Sequence, residues 1–142
     1  MKKIAFTRPD GGVSVVNPAP KFVAEFKNET GALDAIIARD VPVDASDVQI
    51  VDTVPADRTF RDAWRQSAGV ISVDMAKART IHSANITAAR RELARDLLER
   101  EMLGEDVMAE KVALQLDVTA EIDAALDPDT LKAIWPAGLA RL

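Results

Sequence analysis

From Asp74 to Leu103 the chain reads DMAKARTIHSANITAARRELARDLLEREML, thirty residues without a glycine or a proline. Met75, Ala78, Ile81, Ile86, Ala89, Leu93, Leu97 and Met102 recur at helical spacing and form one apolar stripe. Asp74 is a good N-cap and Gly104 fits a C-cap. The spacing predicts one helix, which at ~1.5 Å per residue spans roughly 45 Å. A second helix is expected from near Glu105, with Met108, Val112, Leu116 and Ile122 facing inward. Two helices joined at a glycine fold as an antiparallel hairpin. Asp127-Pro128 interrupts the pattern, Pro128 suits the first turn of a last helix, and Leu131, Ile134 and Trp135 close the chain as an apolar cluster.

Before Asp74 the period is different. Ile4 and Phe6, then Val13 and Val15, alternate as in strands, with Arg8-Pro9-Asp10-Gly11-Gly12 between them. Proline presets φ for a turn and the glycines accept positive φ, so residues 3–16 read as a β-hairpin. Asn17-Pro18-Ala19-Pro20 ends its second strand. Residues 21–27 fit a helical face or a strand. Residues 30–39 read as a short helix, capped by Thr30 and with Leu33, Ile36 and Ile37 on one face. Val48-Gln49-Ile50-Val51 reads as a third strand. The fold class is therefore α+β: a small N-terminal antiparallel β-sheet with short helices over residues 1–68, then a C-terminal long-helix hairpin over residues 69–142.

Between these parts, charges crowd around Phe60 and Trp64. Their i, i+4 spacing puts both rings on one side of a helical turn, with Asp57 or Thr59 as its cap. Two readings stand: an anchor that pins the segment onto the sheet, or an exposed aromatic hot spot for a partner. Leu97, Leu98, Met102 and Leu103 crowd the end of the long helix and are too many for one narrow seam. They are covered either by Met108, Val112 and Leu116 of the same chain or by another subunit. Phe60, Trp64, Leu97, Leu98, Met102 and Trp135 are thus the candidate partner-binding residues.

Composition narrows the function classes. The net charge is −5, and neither side of Gln66 has a basic excess, so nucleic-acid binding is disfavoured. The chain has no cysteine, which excludes disulfide and thiol chemistry. Only 4% of residues are aromatic, so the core rests on Ala, Val, Ile, Leu and Met, and self-association is expected to add stability. Met1-Lys2-Lys3-Ile4-Ala5-Phe6-Thr7 begins like a signal peptide, but its apolar run stops at Arg8-Pro9-Asp10. No stretch approaches the ~18 apolar residues of a membrane helix, so no membrane partner is expected.

Catalytic patterns are missing. His82 is the only histidine and lies mid-helix, without metal-ligand or base partners at defined spacing. No metalloprotease, nucleophile-elbow or P-loop motif occurs. Asp40, Asp44, Asp47 and Asp52 lack the glycine and terminal glutamate of a calcium loop and read as solvated loop charge. Arg90, Arg91 and Arg95 mix with Glu92, Asp96, Glu99 and Glu101 as a salt-bridge-laced exposed face, and binding of an acidic partner through Arg79, Arg90 and Arg91 is the less favoured reading, since mixed charge weakens the field. No enzyme activity, cofactor, metal or small-molecule substrate is expected.

Three blocks carry a resemblance: Val54-Pro55-Ala56-Asp57-Arg58-Thr59-Phe60-Arg61-Asp62-Ala63-Trp64, then Val73-Asp74-Met75-Ala76-Lys77-Ala78-Arg79-Thr80-Ile81, then Leu131-Lys132-Ala133-Ile134-Trp135-Pro136. In this order and spacing, with the hairpin around Asp10-Gly11-Gly12-Val13-Ser14-Val15 before them, the chain resembles a family of small bacteriophage and prophage proteins encoded among late, tail-region genes. The resemblance spans most of the chain and brings no catalytic residues. It implies a phage structural or assembly protein: a minor virion component near the tail, or a non-virion assembly chaperone or host-directed binding factor. Other phage structural proteins and further copies of the chain are the implied partners, in the virion or the host bacterial cytoplasm.

Overall fold

The computed structural model describes residues 1–141; Leu142, the last residue of the expected helical region, lies outside the described residues. The chain divides into two compact units, residues 1–74 and 75–142.

In the first unit, β1 (Lys3–Thr7) is the central strand of an antiparallel sheet of order β2-β1-β3, with β2 at Val13–Val16 and β3 at Ser46–Val51. The α+β class is as expected. Ile4 pairs with Val16 on one side and Ile50 on the other, and Ile4, Ala5 and Phe6 are all buried. Successive side chains of a strand point to opposite faces, so β1 is covered on both. The β1–β2 turn is closed by the Arg8 N–H to the Gly12 carbonyl at 2.8 Å and the Gly11 N–H to Arg8 at 2.9 Å. Gly11 sits at φ +80, a conformation that glycine tolerates without strain.

Residues 21–27 resolve into a helical turn, α1 (Pro20–Val23), with Pro20 at its start. The next helix, α2, spans Glu29–Asp40. Its cap is Asn28 and not Thr30: Asn28 is extended, and its side chain accepts from the Gly31 N–H at 2.8 Å, while Thr30 is already helical. Pro42 forces Val41 to an extended conformation (ψ 123), which stops the helix. Ile4, Leu33 and Ile36 form the core of this unit, with Val16, Phe22, Ile37, Val41 and Val48 packed around them.

A second hairpin was not expected. Trp64 opens β4 (Trp64–Ser67), which pairs with β5 (Val70–Val73). The two-residue turn Ala68-Gly69 has φ of +47 and +82, the positive pair that a tight hairpin turn demands. The Asp74 N–H to the Ala63 carbonyl, at 2.8 Å, lengthens the ladder. A boundary between residues 68 and 69 would cut this turn, so the unit runs on to Asp74. Phe60 and Trp64 share no helical turn, since only Arg61–Ala63 are helical, in a single 3-10 turn. Asp57 accepts from the Thr59 N–H at 2.8 Å and the Thr59 hydroxyl at 2.6 Å, closing a local turn rather than capping a helix.

The second unit is organised by α3 (Met75–Met102). Its buried residues are Ala78, His82, Ile86, Ala89 and Leu97, so the stripe passes through His82 where Ile81 was expected. Gly104, at φ +89, ends it. The Gly104 N–H donates to Glu101 and the Glu105 N–H to Arg100, both at 3.0 Å, the paired bonds of a Schellman cap. The chain then reverses: Arg100 meets Glu105 at 2.7 Å and Glu110 at 3.1 Å, and Lys111 meets Glu101 at 2.7 Å. The returning arm is three short helices, α4 (Met108–Gln115), α5 (Thr119–Ala124) and α6 (Pro128–Ala133), each packed on α3. Asp127 caps α6 by accepting from the Thr130 N–H at 2.8 Å, and Pro128 occupies its first turn.

Candidate protein-binding surface

The long helix secures the three short ones through their C-terminal ends. The last carbonyls of a helix lack partners within it and carry partial negative charge. Arg79 donates to the Ala125 carbonyl at the end of α5 at 2.6 Å. Arg90 donates to the Leu116 carbonyl at the end of α4. His82 Nε2 lies 2.6 Å from the Ile134 carbonyl at the end of α6, and a carbonyl only accepts, so Nε2 carries the proton. His82 is buried and meets Trp135 edge-on at 5.6 Å. Its position is that of a structural clamp. Trp135 is half-buried: its Nε1–H donates to the Leu139 carbonyl at 2.7 Å, and the Arg141 guanidinium lies 4.7 Å over its ring.

The six candidate partner-binding residues separate. Phe60 and Trp64 are 3% and 1% exposed, so they anchor the first unit and offer no free aromatic surface. Leu97 is 1% exposed and belongs to the helical core. Leu98 and Met102, by contrast, are 58% and 80% exposed. Leu103 is exposed beside them. The expected cover from α4 does not form. Met108, Val112 and Leu116 are themselves exposed, because α4 turns Val107 and Ala113 inward instead; Ile122, in α5, is buried as expected. Ala113 approaches the terminal segment closely enough that a Cβ on Gly138 would sit 3.4 Å from its own.

That arrangement leaves an apolar groove of about 460 Å³ in the helical unit, lined by Leu93 of α3, Ala109, Val112 and Ala113 of α4, Leu116 and Gly138. Glu110, also at its wall, is held below the usual carboxylate range by hydrogen bonding to its own backbone N–H and then to Arg100. Arg100, correspondingly, is pushed further up by Glu105 and Glu110. The groove can take an apolar side chain or a helix edge, and it presents no nucleophile–base pair. Sequence periodicity misses this feature, since it marks Val112 and Leu116 as apolar but not as outward. The carbonyl-binding roles of Arg79 and Arg90 carry no local signal, because their partners lie 46 and 26 residues away.

Among the described residues, no group of three or more His, Cys, Asp or Glu side chains is placed to hold a metal ion, and no helix is long and apolar enough to cross a membrane. No protein-family model, no curated protein and no solved structure matches the chain.

Proposed function

We propose that this chain is a non-enzymatic, phage-derived structural or assembly protein, a minor virion component associated with the tail, which works by binding other phage structural proteins and further copies of itself. The observation that carries the binding role is the open groove between α3 and α4, with Val112 and Leu116 exposed at its wall. Exposed apolar residues gathered at one concave place are what protein-binding surfaces use. The absence of catalytic motifs and the commitment of His82 to the Ile134 carbonyl support a role without chemistry. The phage setting rests on the three sequence blocks and the N-terminal hairpin. The site of action is the virion, or the host bacterial cytoplasm during assembly.

Mass spectrometry of purified particles tests this. Stoichiometric presence of the chain supports the virion role, and Val112→Glu should then reduce its incorporation while the far-UV helix signal stays intact. Clean absence from particles overturns the virion role in favour of an assembly chaperone or host-directed factor.

A further inference from the structure

The end of α3 and the turn after it bring charge and apolar surface together. Between Asp96 and Lys111 lie six carboxylates and two cations, which gives this stretch four of the chain's five net negative charges. Both cations are engaged within the chain: Arg100 meets Asp96, Glu105 and Glu110, and Lys111 meets Glu101. Glu99 and Asp106 take no part in the ion pairs of the described residues. In the same stretch Leu98, Met102, Leu103 and Met108 are each more than half exposed.

The two inter-helix ion pairs fix which way these side chains face. Arg100–Glu110 marks one flank of the α3–α4 pair and Glu101–Lys111 the other. At ~100° per residue, Leu98 lies ~60° round α3 from Glu101 and ~160° from Arg100. Met108 lies ~60° round α4 from Lys111 and ~160° from Glu110. Met102 is ~40° from Leu98, so Leu98, Met102 and Met108 share the Glu101–Lys111 flank. The groove residue Leu93 lies ~20° from Arg100, on the other flank, which makes this a separate surface. Glu99, ~60° from Met102, borders the patch on its outer side and Glu101 on its inner side. Asp106 closes it at the turn, where its carboxylate accepts from the Met108 N–H at 3.1 Å. Arg95 and Arg91 lie one and two turns back on the same side of α3 and end the acidic region there; Arg95 is held by Glu92 at 3.2 Å.

We infer that this patch seats a basic amphipathic helix of another protein, one with leucine-like side chains along one face and Lys or Arg beside them. The inference goes beyond the groove and rests on neither it nor the phage setting. Charge decides the occupant. The apolar side chains call for an apolar face, and the carboxylates around them call for flanking cations, since complementary potentials steer and select a partner. The same sign repels phosphate backbones and anionic lipid surfaces. It also disfavours a second copy meeting tip to tip, which would set one acidic region against its equal. The flank of an antiparallel helix pair is where a third helix packs in a bundle. Two of the apolar side chains are methionines, whose unbranched stems adapt to the face they receive.

Three fluorescein-labelled synthetic peptides, titrated with the full chain and followed by anisotropy, test this. The first places leucine at helical spacing with lysine beside it, the second has glutamate for every lysine, and the third scrambles the order of the first. The expected result is binding of the first peptide alone, weakened at least about fivefold when salt is raised from ~0.05 M to ~0.5 M. Met102→Ser combined with Met108→Ser should raise the Kd at least about tenfold. Glu99→Gln combined with Asp106→Asn should also raise it and should flatten the salt dependence. All four positions are exposed, so the far-UV helix signal should stay unchanged. Val112→Ser, in the groove, should bind as the native chain does. No binding of the first peptide, equal binding of the glutamate or scrambled peptide, binding indifferent to salt, or loss through Val112→Ser in place of the paired Met substitutions overturns the inference. Self-association of the native chain that the paired Met substitutions abolish also overturns it, because the occupant is then a second copy. A chain found in particles that binds no basic peptide overturns this inference alone, and a chain that binds the basic peptide but is absent from particles overturns the virion role alone.

Discussion

In residues 1–74 the sheet strands are joined by ladder hydrogen bonds, and Trp64, Ile4, Leu33 and Ile36 are fully enclosed. In residues 75–142 one helix organises the rest, and its inner face is small or polar at Ala78, His82 and Ala89. There the ends of three short helices are satisfied by Arg79, Arg90 and His82 of α3. The helical unit leaves Leu98, Met102, Leu103, Met108 and Val112 in solvent, whereas the first unit exposes fewer large apolar side chains, at Met1, Val43, Ile50 and Val70. The lesson is that a unit closed by polar contacts along a single helix can leave large apolar side chains uncovered.

The largest expected effect tests the sheet unit's dependence on its core. Leu33→Ala removes a side chain that is 1% exposed. It should destabilise that unit by about 2–5 kcal/mol through lost burial and the cavity left behind. Trp64 emission in a Trp135→Phe background, followed through a urea titration, reads this unit alone. A shift equivalent to less than about 1 kcal/mol would mean that the ladder and not the core carries the unit.

Next in size is a pair of neighbours that face opposite ways. Leu97→Ala should cost about 2–5 kcal/mol, while Leu98→Ala should stay within about 0.5 kcal/mol when measured at concentrations where the chain is monomeric. Similar costs at both positions would show that Leu98 is covered within its own chain, and the contrast between an enclosed and an open unit would fail.

Smaller again is the contribution of one helix-end contact. His82→Phe keeps the ring but leaves the Ile134 carbonyl without its donor, which should cost about 1–3 kcal/mol. Trp135, edge-on to the ring at 5.6 Å, reports the change by its emission. Thr80→Ala, at an exposed position of the same helix, serves as the control and should stay within about 0.5 kcal/mol. If His82→Phe is as stable as the native chain, the helical unit is closed by packing and not by its polar contacts.

The same contrasts separate what local sequence declares from what only the folded chain decides. The β1–β2 hairpin is legible because Arg8-Pro9-Asp10-Gly11-Gly12 encodes its turn locally, and α3 because thirty residues of periodic sequence outweigh local noise. The β4–β5 hairpin is hidden: its strands have four residues each, too few for alternation to declare itself, and its turn places Ala68 at a positive φ that alanine does not advertise. The stripe expected on α3 is right in period and wrong in detail at two places: Met102, expected on it, is exposed, and His82 replaces Ile81, because the residue that makes His82 an inner position, Ile134, is 52 residues away. The same limit applies to the candidate surface. Period places Leu97 and not Leu98 on the inner stripe, but whether Leu98 is covered depends on where the returning arm lies. For Phe60 and Trp64 the sequence admits both anchor and hot spot, and burial, a property of the assembled unit, decides for the anchor.

The smallest expected effect is a difference in acid sensitivity. In the helical unit three carboxylates are held below their usual range: Asp117 by the Thr119 hydroxyl and N–H, Asp127 by the Thr130 N–H and hydroxyl, and Glu110 by its own N–H and Arg100. In the sheet unit Asp40 is held down by Arg39. A carboxylate whose folded pKa is depressed contributes stability that is full above its unfolded value and disappears as pH falls through the folded one. With ordinary values of 3.8 for Asp and 4.5 for Glu, the loss begins near those values and continues below them. All four groups are solvent-exposed, so each contribution is modest, but three act on the short helices and one on the end of α2. Lowering the pH from 7 through this range should therefore reduce the urea midpoint reported by Trp135 more than the one reported by Trp64. Asp127→Asn keeps an acceptor for the Thr130 N–H but cannot titrate, so it should flatten the acid limb seen by Trp135 and leave the one seen by Trp64 unchanged. Equal acid limbs in the two units, or an unchanged limb in Asp127→Asn, would show that the helix-start carboxylates contribute nothing to holding the short helices.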